Sequence, residues 1–237
     1  MNQGLKVLIT GATGMVGQGV LYECLEDERI SEVLCIGRSR LGIQNPKLKE
    51  IILPDLSDID PLHEGLEGLD ACFMCMGVSA AGMTEKEYTK VTYDMTLGLA
   101  QKLVQIRPEM VLTYVSGQGT DATEKGRLMW ARVKGRTENA LKNLGFAGAY
   151  MFRPGVIIPE RGIRSRTRSY QFIYDNFMWL IRILKKLSPD SIVSTSQLGQ
   201  SMIQIALKGY EHEIIHPRDI HTLSKRYNNS RYTKDHV

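Results

Sequence analysis

Leu5-Lys6-Val7-Leu8-Ile9-Thr10-Gly11-Ala12-Thr13-Gly14-Met15-Val16-Gly17 stands almost at the start of the chain. Its first half is a run of β-favouring residues and its second half a glycine turn, after which a helical pattern begins. Glycines at 11, 14 and 17 give a GxxGxxG spacing. Lacking Cβ atoms, they let the backbone approach a pyrophosphate, and the helix starting near Met15 aims free amide N–H groups at the phosphates. A glycine triplet alone carries little weight. A strand before it and a helix after it supply the context of a dinucleotide-binding turn. Gly11, Thr13, Gly14, Met15, Val16 and Gly17 are the expected phosphate-side residues.

The next strand, Glu32-Val33-Leu34-Cys35-Ile36-Gly37, ends where an adenosine ribose is read. An acidic residue there would accept from both ribose hydroxyls. This chain has Gly37-Arg38-Ser39-Arg40 instead, and guanidinium and hydroxyl groups suit a phosphate dianion. The expected cofactor is therefore NADP(H) in preference to NAD(H), held at Arg38 and Ser39.

Strand and helix patterns alternate along the rest of the chain, which argues for an α/β fold: a doubly wound parallel sheet of the Rossmann type with helices on both faces. Strands are predicted near 5–10, 32–37, 49–53, 70–76, 110–116, 147–152 and 213–216, and helices near 15–27, 85–106, 126–144, 168–187 and 196–208. Thr195 or Ser196 is the expected cap of the last of these. The chain reads as one domain over 1–237, with a small C-terminal substrate or lid segment at 156–212 and a polar, frayed tail at 224–237. Loops at the C-terminal ends of the strands should line the ligand crevice. They contribute Asp55 and Leu56 at the adenine, Met76, Gly77 and Val78 beside the ribose, Ser116, and the turn Arg153-Pro154-Gly155.

At 237 residues and 43% hydrophobic the chain can bury one large core. A net charge of +4 and the lack of a recognised motif argue against a nucleic-acid partner. No uncharged apolar run reaches membrane-spanning length, and no signal peptide is expected, because the first strand starts within a few residues of Met1. The four cysteines sit in or beside apolar segments, as reduced thiols do, so a cytoplasmic location is expected. Cys72 and Cys75 spell CxxC but fall in one predicted strand, where residues three apart point to opposite faces and cannot share a disulfide or a zinc ion. The five histidines are scattered, His63 in a short surface helix among them, and no metal site is expected.

TGATGMVG at 10–17, GR at 37–38, DL at 55–56, the glycine loop after the fourth strand, Ser116 and RPG at 153–155 come in order over about two-thirds of the chain. Together they resemble the short-chain dehydrogenase/reductase superfamily in its extended or atypical branch, and the segment Trp130 to Glu138 is similar to the active-site helix of the Tat-interacting oxidoreductase-like proteins. The resemblance implies a serine at 116 that polarises the substrate oxygen and a lysine at 134 that holds the nicotinamide ribose. It also implies a homodimer through the 85–106 and 126–144 helices. The tyrosine that passes the proton should stand four residues before the lysine, where this chain has Trp130. No other tyrosine has a lysine four residues later. An indole N–H donates a hydrogen bond but exchanges no proton at useful pH, so Trp130 serves as a wall or an orienting donor. Tyr88, Tyr93, Tyr170 and Tyr174 are the alternative proton sources.

From Arg161 to Leu187 a basic run (Arg161, Arg164, Arg166, Arg168) precedes an aromatic and apolar stretch closed by Lys185 and Lys186. It reads as a buried helix behind a solvated loop, as a lid over the cofactor, or, at 170–187, as a surface docking on a membrane or a partner. Two functions follow. One is an NADP(H)-dependent oxidoreductase or epimerase-like enzyme acting on a small carbonyl or alcohol through Ser116, Lys134 and Trp130. The other is a non-catalytic NADP(H) sensor of the NmrA-like kind.

Overall fold

Parallel pairing of short, largely apolar strands forces helices onto both faces of the sheet, because the central strands are buried on two sides. The computed structural model, which describes residues 4–53, 66, 68–163 and 191–232, has this form. Seven parallel strands carry the order β3-β2-β1-β4-β5-β6-β9: β1 (Leu5–Thr10), β2 (Ile30–Gly37), β3 (Leu48–Ile52), β4 (Ala71–Met74), β5 (Val111–Val115), β6 (Gly148–Phe152) and β9 (Ile214–Ile215). Two further three-residue strands, β7 (Val156–Ile158) and β8 (Ile192–Ser194), pair with each other outside this sheet. The strand order reverses between β1 and β4, and that reversal opens the ligand crevice of a doubly wound sheet.

Side chains alternate between two cores. Val7 and Ile9 of β1, Val33 and Cys35 of β2, and Phe73 of β4 point to one face. Leu8, Leu34, Ile36, Cys72 and Met74 point to the other. Helices α1 (Met15–Glu26), α5 (Thr195–Lys208) and α6 (Pro217–Tyr232) cover the first face. The second is covered by α2 (Glu85–Thr89), α3 (Met95–Ile106) and α4 (Met129–Lys142). Between α2 and α3 the helix passes through one π-helical turn at Lys90–Asp94. Thr84 caps α2 through a reciprocal capping box with Glu87. Cys72 and Cys75 fall in opposite cores, as the strand period requires.

The seven predicted strands of the main sheet are present within a residue or two. Three elements were not foreseen. β7 and β8 are too short to show a period and exist only by pairing across sequence. The predicted frayed tail is corrected over 224–232, which forms the greater part of α6. Ile220, Leu223 and Tyr227 recur at helical spacing and are fully or almost fully buried, an apolar stripe hidden among polar neighbours. The helix docks on the turn after α1, where Arg29 Nη1 donates to Ser230 Oγ (2.7 Å) and the Arg29 guanidinium lies over the Tyr227 ring. The cap of α5 is Ser194, one residue earlier than expected, in a capping box with Gln197. His63, the helix predicted at 168–187 and the basic and aromatic residues 164–187 lie outside the described residues.

Candidate functional site

The glycine turn is built by contact rather than by preference. Gly11 adopts φ +74°, and a Cβ there would stand 2.7 Å from the Cys75 carbonyl oxygen and 2.8 Å from the Met76 nitrogen, where the ends of β1 and β4 cross. A Cβ on Gly17 would meet the Gly11 carbonyl oxygen at 2.2 Å. The Gly14 N–H is used inside the turn, donating to that same oxygen (2.9 Å). Gly14 is also the N-cap of α1 and supplies no side-chain acceptor, so the first-turn amides of Met15, Val16 and Gly17 have no side-chain cap. An uncapped helix start behind a cradle that any Cβ would fill fits a dinucleotide pyrophosphate.

Beside it lies a small hollow lined by Gly11, Thr13, Gly37, Ser39, Leu41 and Glu50. Arg38 and Ser39 are exposed at its edge, and no described residue pairs with Arg38. Glu50, which sequence reasoning passed over, accepts the Leu41 N–H (2.7 Å) and so ties the loop that carries Arg38 and Ser39 to β3. Met76 is partly buried, while Gly77 and Val78 stand exposed after β4. Asp55 and Leu56 lie outside the described residues.

Across the crevice, the end of β5 and the start of α4 bring Ser116, Thr120 and Lys134 together. Ser116 is 6% exposed, and its Oγ lies 2.7 Å from Thr120 Oγ1. Lys134 Nζ donates to the Ser116 carbonyl oxygen at 2.6 Å. Burial pushes the Lys134 ammonium down to about 8, against the support of the Glu138 carboxylate one turn along α4. Trp130 is partly buried one turn before Lys134, its six-membered ring packed against Gly119. The loop leading into α4 is organised by Asp121, whose carboxylate accepts from the Thr123 hydroxyl, the Gly126 N–H and the Thr123 N–H. Those hydrogen bonds, the Thr123 hydroxyl first, hold its carboxyl below the usual range.

Arg153 is a correction. Expected at the cofactor, its guanidinium is committed to Glu138, Nε at 3.0 Å from Oε1 and Nη2 at 2.5 Å from Oε2, with Glu138 fully buried. The pair anchors α4, and hence Lys134, to the end of β6. Pro154 and Gly155 serve packing: the Pro154 carbonyl accepts the Gln118 N–H (2.8 Å), and Gly155 passes close to the Ser191 carbonyl. Of the candidate tyrosines, Tyr88 is buried with its hydroxyl bonded to Thr92, and the Tyr93 ring is covered by Arg136. Tyr170 and Tyr174 lie outside the described residues. Thr120 and Glu138 were the functional-side residues missed. For Glu138 the signal was an acidic residue four positions after Lys134, on the same helix face.

Residues 7–123 match the model of the NAD dependent epimerase/dehydratase family. The chain is 30% identical over 159 residues to the protein FMP52, mitochondrial, of Eremothecium gossypii, covering 66% of this chain and 68% of that one. The chain belongs to this family, in the group of FMP52- and HTATIP2-like proteins. Rat protein HTATIP2 is 28% identical over 163 residues, which span 67% of this chain and 65% of the rat protein. Among solved structures, the Bordetella bronchiseptica enzyme WbmF in complex with NAD+ aligns at TM-score 0.67 and 13% identity, over 97% of this chain and 79% of that one. The UDP-N-acetylglucosamine 4-epimerase of Methanobrevibacter ruminantium M1 aligns at the same TM-score and 16% identity, over 90% of this chain and 76% of the enzyme. Both likenesses concern the fold. The cytoplasmic location expected from the cysteines is overturned, because the fungal family members of Eremothecium gossypii and Emericella nidulans are named mitochondrial proteins. Buried, free cysteines do not by themselves choose a compartment. Among the described residues no helix is long and apolar enough to cross a membrane.

Proposed function

We propose that this family member is an oxidoreductase that uses NADP(H) and acts on a small, largely apolar carbonyl or alcohol without a catalytic tyrosine. The observation that carries the reading is the 2.6 Å contact of Lys134 Nζ with the Ser116 carbonyl, which keeps the serine and lysine of the site together although Trp130 replaces the tyrosine. Gly11, Gly14 and Gly17, with the open amides of α1, hold the pyrophosphate; Arg38 and Ser39 receive the 2′-phosphate; Met76, Gly77 and Val78 line the ribose side. When bound, the dinucleotide supplies or accepts a hydride. Val78, Leu128 and Val156, which follow β4, β5 and β6, are exposed apolar side chains and favour an apolar substrate. The second reading, a cofactor sensor without turnover, is favoured by one observation: an indole at position 130 gives no proton.

Calorimetric titration of the protein with NADPH and NADH, followed by a panel of aldehydes and ketones monitored through nicotinamide absorbance, separates the two. The expected result is preferential NADPH binding with oxidation on at least one apolar carbonyl. Tight binding without oxidation moves the assignment to the sensor. Arg38→Glu is expected to weaken NADPH binding about tenfold or more, the loss of a charge-assisted contact, and to spare NADH. An equal loss for both cofactors would overturn the role given to Arg38.

A further inference from the structure

The missing tyrosine leaves the question of which group delivers the proton, and among the described residues a count of hydrogens at the end of β5 points to one. Thr120 has one hydroxyl hydrogen, and it goes to the Gly117 carbonyl oxygen at 2.8 Å. In the 2.7 Å contact between the Ser116 and Thr120 hydroxyls the donor must then be Ser116. Both hydroxyl hydrogens are committed, and Ser116 Oγ offers lone pairs only. Trp130 has an N–H that it cannot release. Lys134, with three hydrogens, gives one to the Ser116 carbonyl; no described residue takes the other two.

We propose that Lys134 is itself the proton donor of this site, its Nζ fixed on the Ser116 carbonyl beside a hydroxyl pair whose hydrogens are already spent. The inference rests on the oxidoreductase reading above. In the reducing direction a hydride from the reduced nicotinamide dinucleotide forms the new C–H bond, and the carbonyl π electrons move to oxygen. That oxygen takes a proton from the Lys134 ammonium, leaving a neutral amine that regains its proton from water. The lysine does directly what a tyrosine would do under its influence.

The surroundings suit the task. Burial lowers the ammonium to about 8, near the pH at which a donor must work. Several ionisable groups lie on the elements packed around it. Glu138 on α4 is the carboxylate one turn away, with its charge shared by Arg153 from β6. Tyr114 on β5 and Tyr88 on α2 are buried phenols with ionisation pushed upward by desolvation. Glu138 is therefore the one group among these that works against deprotonation of Lys134.

Two measurements test this. The first needs no turnover: brief acetylation of the ligand-free protein across pH 6–11, with the peptide containing Lys134 quantified by mass spectrometry. Half-maximal intrinsic reactivity near pH 8 is expected. A profile rising only toward the ordinary lysine range overturns the proposal. The second compares wild type with Lys134→Arg, which keeps a cation but holds its proton at all relevant pH. The expected outcome is NADPH binding that is weakened but retained, with carbonyl reduction at saturating NADPH lowered on the order of a hundredfold or more. Wild-type kcat should fall tenfold per pH unit above the lysine limb, and that limb should vanish in the variant. An unchanged circular dichroism spectrum confirms that the variant folds. Reduction by Lys134→Arg at the wild-type rate overturns this proposal alone. A wild type that binds no NADPH, or binds it and reduces nothing, overturns the oxidoreductase reading and this proposal with it.

Discussion

Glu138→Ala is expected to cost about 3–5 kcal/mol of stability, the usual penalty for stranding one member of a buried ion pair. The carboxylate is fully buried, and the Arg153 side chain that grips it through two nitrogens is only 14% exposed. Arg153 cannot turn outward cheaply, because its own backbone is fixed between strands, with its N–H donating to the Ile215 carbonyl. Removal of the carboxylate therefore leaves a guanidinium with neither water nor counter-charge. For a chain of this size the loss corresponds to roughly 6–20 °C in melting temperature. Urea unfolding followed by circular dichroism measures it directly. The double variant Glu138→Leu with Arg153→Met should recover most of the loss, since replacing both partners by apolar groups leaves nothing unpaired. A single variant within 1 kcal/mol of wild type would mean that water reaches Arg153 after all.

Gly135→Ala comes next in expected size. A Cβ at this position would stand 1.8 Å from the Asp121 carbonyl oxygen and 2.5 Å from its carbonyl carbon. Both obstacles are backbone, so no rotamer relieves the clash. Either α4 lifts from the 121–126 loop or the loop opens, and each movement draws Lys134 off the Ser116 carbonyl. Overpacking of this kind costs about 1–3 kcal/mol in ordinary cores, and a clash with backbone on the far side should reach the top of that range. Loss of NADPH binding should accompany the drop in melting temperature. Gly98→Ala is the control: a Cβ there has open space around it, and the variant should gain up to about 1 kcal/mol from helix propensity.

The sheet and the glycine turn were legible because each announces itself locally. Leu8 and Ile9 alternate between two cores with the strand period, and Gly11 and Gly17 are required by contacts that nothing larger satisfies. Lys134 was legible by its spacing from Trp130 and its place before Gly135. Arg153 misled because an arginine beside a ligand crevice and an arginine in a buried ion pair look alike until Glu138 is seen to share its space. Thr120 was not legible, since its importance lies in a hydroxyl contact with Ser116 that depends on how residues 117–119 turn. The strands β7 and β8 were not legible either. Their three-residue runs gain meaning only from pairing across the segment that separates them.

The docking of α6 on the turn after α1 has a consequence for how the chain is made. Asp27 is buried, and although burial pushes its carboxyl up, the hydrogen bonds from Arg29 hold it below the ordinary range. Arg29 in turn is finished by Ser230 and Tyr227, residues at the far end of the sequence. While the chain is being synthesised, the turn that feeds β2 waits for residues some two hundred positions later. That turn is complete only once α6 has been made and Ser230 and Tyr227 reach Arg29.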